Sequence, residues 1–538
     1  MSKKADKYFG LDAWKVIEKG FNPEYSRISE SIFALSNEHM GIRGYFDEGG
    51  GTDSLRGAYI NGVYEMDLNL PKSYKGIVDK THFMVNNADW VYTEIWLEGE
   101  KLDLASVNFS DFTRVLDMKK GTLERTFVWH TQNNKGLRLK FIRFLDMGDI
   151  ERGYQRVEFE PINFSGQIKV ITGINFEVIH ESYNKMFWQE EKKFVSSEYA
   201  AIISKTKTSG QYVFSGFTLD TDGSKSPIMK DLFCGYEVTL DLGLGNVKRL
   251  DKYCINKYDE NIGSRLWEAG LEALGAQALV AFDEALKAQA VFWGGFWNKA
   301  DIIIDGDEEN QQGIRFCLFN LTQAYLGRKP THNIGAKGLT GEFYNGHAFW
   351  ETEAYCLQYY VLTYPKAAKS LLEFRYTTLP QAKNRAKMMD CEGACYPVAT
   401  LNGDEGCPLW QHANLQFQAS TAVAYGIWHY SHMTDDLAFL YGHGMEMLIE
   451  ISRYLVSRVG KNPITGQFGY YGVMGPDEFH LMVNNNAYTN YMSMRSLQFT
   501  LDTLNQLKKS QPSVFENLAA RLSLTGVECS YWGEVASN

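Results

Sequence analysis

With 538 residues, at ~100–200 residues per domain, the chain has length for two to four domains and for large cores. Its 65 acidic against 54 basic side chains leave a net charge of −11, so there is no global attraction to phosphate backbones and nucleic acid is not expected as a main partner. Hydrophobic residues at 44% and charged residues at 22% are ordinary globular usage, which argues against long disorder.

The chain opens MSKKADKYFG, basic but not followed by an apolar stretch, so no secretory signal is visible. No window approaches 18 uninterrupted apolar residues, and no membrane association is expected. The eight cysteines are irregularly spaced and form no CxxC pair. That pattern fits reduced thiols in a cytoplasmic protein and offers no metal-ligand set.

From about 55 to 260 the chain is a series of short alternating runs broken by turn residues. Residues 90–104, WVYTEIWLEGEKLDL, read as two strands around Gly99. Residues 121–147 read as a hairpin turning at Asn133-Asn134-Lys135-Gly136, and 155–179 repeat the pattern. Strands at this spacing without intervening helices predict an antiparallel β-sandwich domain over 1–262. The Ala/Leu-rich stretch 264–297 switches to helical spacing and marks a helical linker over 263–304.

From 305 to 538 the pattern is helical. A helix over 306–326 opens with acidic residues, as the positive helix N-terminus favours, and places Ile314, Leu318, Leu321 and Tyr325 on one face. Further helices are expected at 350–363, 365–389, 414–430, 488–507 and 512–523. Another, capped by Thr434, carries a stripe of Leu437, Tyr441, Met445, Leu448 and Leu455. That is about seven helices, joined by three long loops at 327–349, 391–413 and 460–487. Loops longer than ~12–15 residues in a compact domain are usually functional.

Two of these loops carry candidate chemistry. In GQFGYYGVMGPDEFHLMVNNNAYTNYM (466–492), Asp477 and Glu478 follow a Gly-Pro turn and are flanked by aromatics. A carboxyl held near apolar surface can serve as a general acid, although Pro-Asp-Glu can also simply close a turn. In GLTGEFYNGHAFWETEAY (338–355), Trp350 and Glu351 enter a helix beneath a Gly-rich loop. An aromatic face beside a carboxylate suits a sugar; a core tryptophan beside acidic residues at a helix start would read the same way.

Taken together, FNPEYSRISESIFALSNEHMGIRGYFDEG (21–49), IGAKGLTGEFYNGHAFWETEAY (334–355), LLEFRYTTLPQAKNRA (371–386) and GPDEFHLMVNNNAYTNYM (475–492) resemble glycoside hydrolase family 65, the inverting phosphorylases of α-glucosides. The resemblance covers nearly the whole chain. It implies an (α/α)6 catalytic barrel behind the sandwich, with Glu478 as general acid. Trp350-Glu351 stand where the family has a donor-site Trp-Asp pair, so the carboxylate is one methylene longer here. The family's acceptor loop falls at about 400–418, where Glu405, Trp410 and His412 are candidates. The implied reaction takes a small α-linked glucosyl disaccharide and inorganic phosphate as co-substrate to β-glucose 1-phosphate and a free sugar. It needs no cofactor or metal.

The resemblance also implies a homodimer for the full-length family member. Seven helices fall short of the twelve of six hairpins, and the family's phosphate-binding residues lie beyond Asn538. The expectation is therefore a C-terminally truncated member with an incomplete barrel and negligible phosphorolysis of its own. The 400–418 loop leans toward a glucose or rhamnose acceptor in an α-1,3 or related linkage. Rival readings are an inverting, trehalase-like α-glucoside hydrolase, which would need a second catalytic carboxylate, and an inactive carbohydrate-binding fragment.

Overall fold

The computed structural model describes residues 9–50, 53–68, 76–259, 265–277 and 280–538. They fall into two compact units. One lies within Met1–Glu65, Met84–Tyr325 and Lys337–Phe343, the other within Met66–Phe83, Leu326–Ala336 and Tyr344–Asn538. The boundary expected at 262–263 lies outside the described residues. No helix among the described residues is long and apolar enough to cross a membrane.

The first unit is built on two antiparallel sheets. Its main strands are β1 (Lys15–Lys19), β2 (Thr93–Leu97), β3 (Asn108–Asp117), β4 (Thr122–His130), β5 (Gly136–Leu145), β6 (Arg152–Pro161), β7 (Gly166–Asn175), β8 (Trp188–Val195), β9 (Tyr199–Thr206), β10 (Tyr212–Thr221), β11 (Ser224–Lys230), β12 (Phe233–Leu242) and β13 (Lys248–Asp259). The large sheet runs β1-β3-β4-β5-β6-β13-β10-β9-β8, with Phe9–Gly10 added outside β1. The small sheet runs β11-β12-β7-β2 and ends on Glu100–Lys101.

Alternation along these strands buries one face between the sheets, where Ile168, Val170, Ile202, Phe217, Tyr236, Val238 and Leu240 are all at or near zero exposure. The rings of Phe217 and Tyr236 meet edge to face at 5.6 Å across the two sheets. The expected hairpin is present as β4–β5, turning through Asn134 at φ 54, a conformation asparagine tolerates. The run 155–179 does not repeat it. β6 is already paired on both edges, by β5 and β13, so the chain steps across and β7 joins the other sheet.

The stretch expected as a linker forms α1 (Leu266–Gln277) and α2 (Phe282–Ala300), which dock on the large sheet. Leu266 and Leu274 pack against Ala201, Phe214 and Ile255; Phe282 and Ala285 pack against Phe144 and Tyr154. The next helix, α3 (Glu308–Ala324), is capped by Asp307, whose carboxylate accepts from Asn310 N at 3.0 Å. Its buried face is rotated from the expected apolar stripe. Gln311, Arg315, Leu318 and Thr322 are buried, while Ile314 and Leu321 are only half-buried. Arg315 can lie inside because Asp301 pairs with it through two 2.8 Å bonds and its guanidinium sits 3.6 Å from the Trp14 ring centre.

The second unit is helical: α4 (Leu357–Thr363), α5 (Pro365–Thr377), α6 (Leu379–Met388), α7 (Gln418–Thr434), α8 (Met445–Arg458), α9 (Ala487–Ser510), α10 (Pro512–Arg521) and α11 (Gly526–Ser537). Helix α7 is its centre. Nearly every residue from Gln418 to Ile427 is buried, against α4, α5, α8 and α9. Thr434 does not cap the following helix. It closes α7 by donating to Tyr430 O, Asp435 turns the chain at φ 52, and the Asp436 carboxylate takes Phe439 N at 3.0 Å.

A short π-turn, Thr352–Cys356, precedes α4. It is locked by a buried ion pair. Arg375 on α5 holds both oxygens of Glu353, at 2.6 and 2.9 Å, and the two side chains are 1% and 0% exposed. Removing one partner strands the other charge in the core, which costs about 3–5 kcal/mol. Arg375→Ala is therefore expected to lower stability by that order in urea unfolding, and Glu353→Leu/Arg375→Met to recover most of it. An unchanged midpoint for Arg375→Ala would show that the pair does not hold this turn.

Candidate active site

Glu478 sits at the tip of the loop between α8 and α9. The base of the loop is closed by Val473 and Val483, which exchange two backbone bonds of 2.9 Å. Asn486 caps α9 by accepting from Thr489 N at 3.0 Å, and its side chain lies where a Cβ on Gly475 would be, 2.5 Å away. That approach is what demands glycine before Pro476. Asp477 shapes the tip: its carboxylate accepts from Phe479 N at 3.1 Å and pairs with His480 Nδ1 at 2.7 Å. These bonds hold its pKa below the ordinary aspartate value.

Two side chains from the 400–418 loop reach Glu478. Gln416, 4% exposed, donates Nε2–H to Oε1 at 2.9 Å. His412 Nε2 lies 3.5 Å from Oε2. His412 Nδ1 is buried without a hydrogen-bond partner among the described residues, so Nε2 is assigned the proton facing Glu478. The Glu478 side chain itself remains 55% exposed, so the carboxyl is held by the protein and open to a substrate.

Glu351 stands at the head of the π-turn, and its carboxyl pKa is raised. Partial burial is the main cause, followed by the charges of Glu478 and Glu353. Glu351 and Glu478, 127 residues apart in sequence, are thus electrostatic neighbours. π-turns are rare and concentrate at functional sites, because the extra residue re-aims the side chains around it. Trp350, half-buried, meets Tyr488 from the first turn of α9 edge to face at 6.0 Å and Tyr355 at 5.8 Å.

The structure thus brings His412 and Glu351 each near Glu478, with Trp350 next to Glu351 in the chain. Trp410, on the short helix Trp410–Leu415, is 45% exposed. Glu405 is different. It is buried, and its carboxylate accepts from the backbone amides of Val398, Ala399 and Cys407 at 2.8, 3.3 and 3.0 Å. Its oxygens are taken up in folding its own loop. The sequence reading does not single out Gln416, because one glutamine in a loop has no period; its place in the 400–418 loop is the available signal. Among the described residues no three His, Cys, Asp or Glu side chains are grouped to hold a metal ion.

Residues 16–296 match the glycosyl hydrolase family 65 N-terminal domain, and residues 315–538 match the glycosyl hydrolase family 65 central catalytic domain. The chain belongs to glycosyl hydrolase family 65. Among family 65 relatives it is similar to an α,α-trehalose phosphorylase of Thermoanaerobacter brockii, at 32% identity over 98% of this chain and 71% of the relative. It is similar to a maltose phosphorylase of Bacillus subtilis strain 168 at 31%, over 98% and 70%. A solved structure described as a putative kojibiose phosphorylase from the human microbiome superposes with a TM-score of 0.94 at 39% identity, covering 98% of this chain and 70% of that one.

The raised pKa of Glu351 has a thermodynamic sign. An acid whose folded pKa exceeds its unfolded value stabilises fully only below the unfolded pKa, and that contribution is lost as pH rises through the folded pKa. At neutral pH the ionised Glu351 is therefore a liability. Glu351→Gln is expected to raise the thermal midpoint at pH 7, with the gain shrinking as pH falls into the ordinary carboxylate range. A loss of stability at pH 7 would show that partial burial and the neighbouring charges of Glu478 and Glu353 are not what governs this residue.

Proposed function

We propose that this family 65 protein is an enzyme that phosphorolyses an α-linked glucosyl disaccharide with inversion, giving β-glucose 1-phosphate and a free sugar. The observation that carries the reading is Glu478: one solvent-open carboxyl, held by Gln416 and facing His412. The names of the relatives, phosphorylases of trehalose and maltose, support the reaction class.

In the proposed reaction the Glu478 carboxyl protonates the glycosidic oxygen as the C1–O bond breaks. Phosphate attacks C1 from the opposite face and becomes the anomeric substituent. One protein acid suffices because phosphate is already a nucleophile, whereas an inverting hydrolase needs a second carboxylate to activate water. Gln416 orients the acid, and His412 offers an N–H to its other oxygen. Trp350 and Glu351 are proposed to hold the glucosyl ring, the indole against its apolar face and the carboxylate accepting from hydroxyls. Trp410 and His412 are proposed on the acceptor side, with Glu405 shaping the loop that carries them.

The test is release of glucose 1-phosphate from trehalose, maltose, kojibiose and nigerose, with and without inorganic phosphate. In place of the negligible phosphorolysis expected of a truncated member, phosphate-dependent cleavage of one of them is expected, with turnover falling at least about 10²-fold in Glu478→Gln. Glucose release that ignores phosphate would make the protein a hydrolase, with Glu351 the first candidate for its base. Near-normal turnover in Glu478→Gln would remove Glu478 from the role.

A further inference from the structure

The loop that enters Trp350-Glu351 and the loop that presents His412 and Gln416 are joined by a backbone bridge. Ala348 and Thr400 form an isolated antiparallel bridge, N to O at 2.9 and 3.0 Å in the two directions. Immediately beside it, His347 is 3% exposed and its Nε2 lies 2.7 Å from the carbonyl oxygen of His82. A carbonyl only accepts, so Nε2 carries the proton. Burial pushes the imidazole pKa down to about 4, which keeps the ring neutral near pH 7.

Gly406 packs onto that ring. A Cβ at position 406 would stand 2.7 Å from His347 Nε2 and 2.8 Å from Cε1, where the ring already is. The backbone of Gly406 is not left-handed, so conformational freedom does not demand glycine here; space does. The loop is also stiff against being pushed away. Gly406 N donates to Ala399 O at 2.8 Å, Gly403 N donates to Thr400 Oγ1 at 2.7 Å, and the buried Glu405 carboxylate gathers three amides. A ring fixed from one side by His82 and a loop pinned from within meet with no slack between them.

We infer that His347 and Gly406 are positioning residues, an interlock that sets the spacing between the Glu351 side and the Glu478 side of the site. The chain distances are short. Trp350 and Glu351 follow His347 by three and four residues, and His412 and Gln416 follow Gly406 by six and ten. A shift of the ring moves the donor-side helix start; a shift of the loop moves the two groups that face Glu478. Misplacing reacting groups by about 1 Å can cost about 10²-fold in rate without touching a catalytic atom.

The kinetic arm of the test rests on the phosphorolysis proposed above, and the structural arm does not. Gly406→Ala, His347→Ala, the double variant and His347→Gln are compared with the parent. Gly406→Ala is expected to lower kcat by about 10-fold to 10²-fold, with KM for phosphate little changed and the thermal midpoint lowered only modestly, the protein staying folded at the assay temperature. The double variant should be no worse than His347→Ala within about twofold, because the added methyl then has no ring to meet. His347→Gln, which can still donate to His82 O, should retain more activity than His347→Ala.

Hydrogen exchange at the Ala348 and Thr400 amides gives the second readout, expected to rise about tenfold or more in Gly406→Ala and to show the same non-additivity. Effects that multiply in the double variant would overturn the interlock. So would a Gly406→Ala protein whose lost activity only tracks its unfolded fraction. If the parent shows no phosphorolysis at all, the proposed function falls, while the exchange data still decide the interlock.

Discussion

A partly buried carboxyl beside a second carboxylate sets the terms for the candidate site. Glu478 is open to solvent, and its charge adds to the partial burial that makes Glu351 harder to keep ionised. The surroundings offset this in different ways. Gln416 fixes Glu478 with a bond from a buried donor. Glu353, which would add a third negative charge two residues from Glu351, is matched by Arg375 on both oxygens. That pair offsets the Glu353 charge within the core, and it fixes the π-turn that follows Glu351.

The loops that carry these groups include residues in left-handed backbone conformations. Tyr344 and Asn345 precede Trp350 in left-handed conformations, and Met482 and Asn485 follow Glu478 in the same region. For a tyrosine or a methionine that conformation costs on the order of 1–2 kcal/mol. The first unit has such residues too, at Glu38, Glu98, Asp111, Asn134, Asn184 and Leu232; all but Asp111, at the bulge in β3, lie outside its main strands, whose core is closed by alternating apolar residues. The division is physical: regular elements satisfy their own backbone groups, while site loops are held in less favourable shapes by side-chain bonds such as those of Asp477, Asn486 and Glu405.

Much of this was legible in the sequence, and the failures have definite causes. Period-2 alternation marked the strands, and Gly99 and Asn134 marked their turns, because those signals are local. Alternation is blind to which sheet a strand joins, so the step from β6 to β7 was read as a hairpin. Helical spacing located α3 but not its buried face, since Arg315 is buried through Asp301 and Trp14, residues the period does not include. Thr434 and Asp436 are both capping residues by type; only the left-handed Asp435 between them decides which one caps. In the site, Glu478 stood out through its Gly-Pro turn and Trp350-Glu351 through resemblance. Gln416 and the contact of Gly406 with His347 depend on chain segments meeting in space, which no spacing rule encodes.

Glu351 is one methylene longer than the aspartate that the family resemblance places there. Partial burial raises its pKa most, and the charges of Glu478 and Glu353 add to the rise, while its own backbone amide opposes it. That amide lies at the head of a helix, where backbone N–H groups lack intrahelical partners and the end of the helix is partly positive. The helix start thus offsets part of the cost of holding a second carboxylate near Glu478.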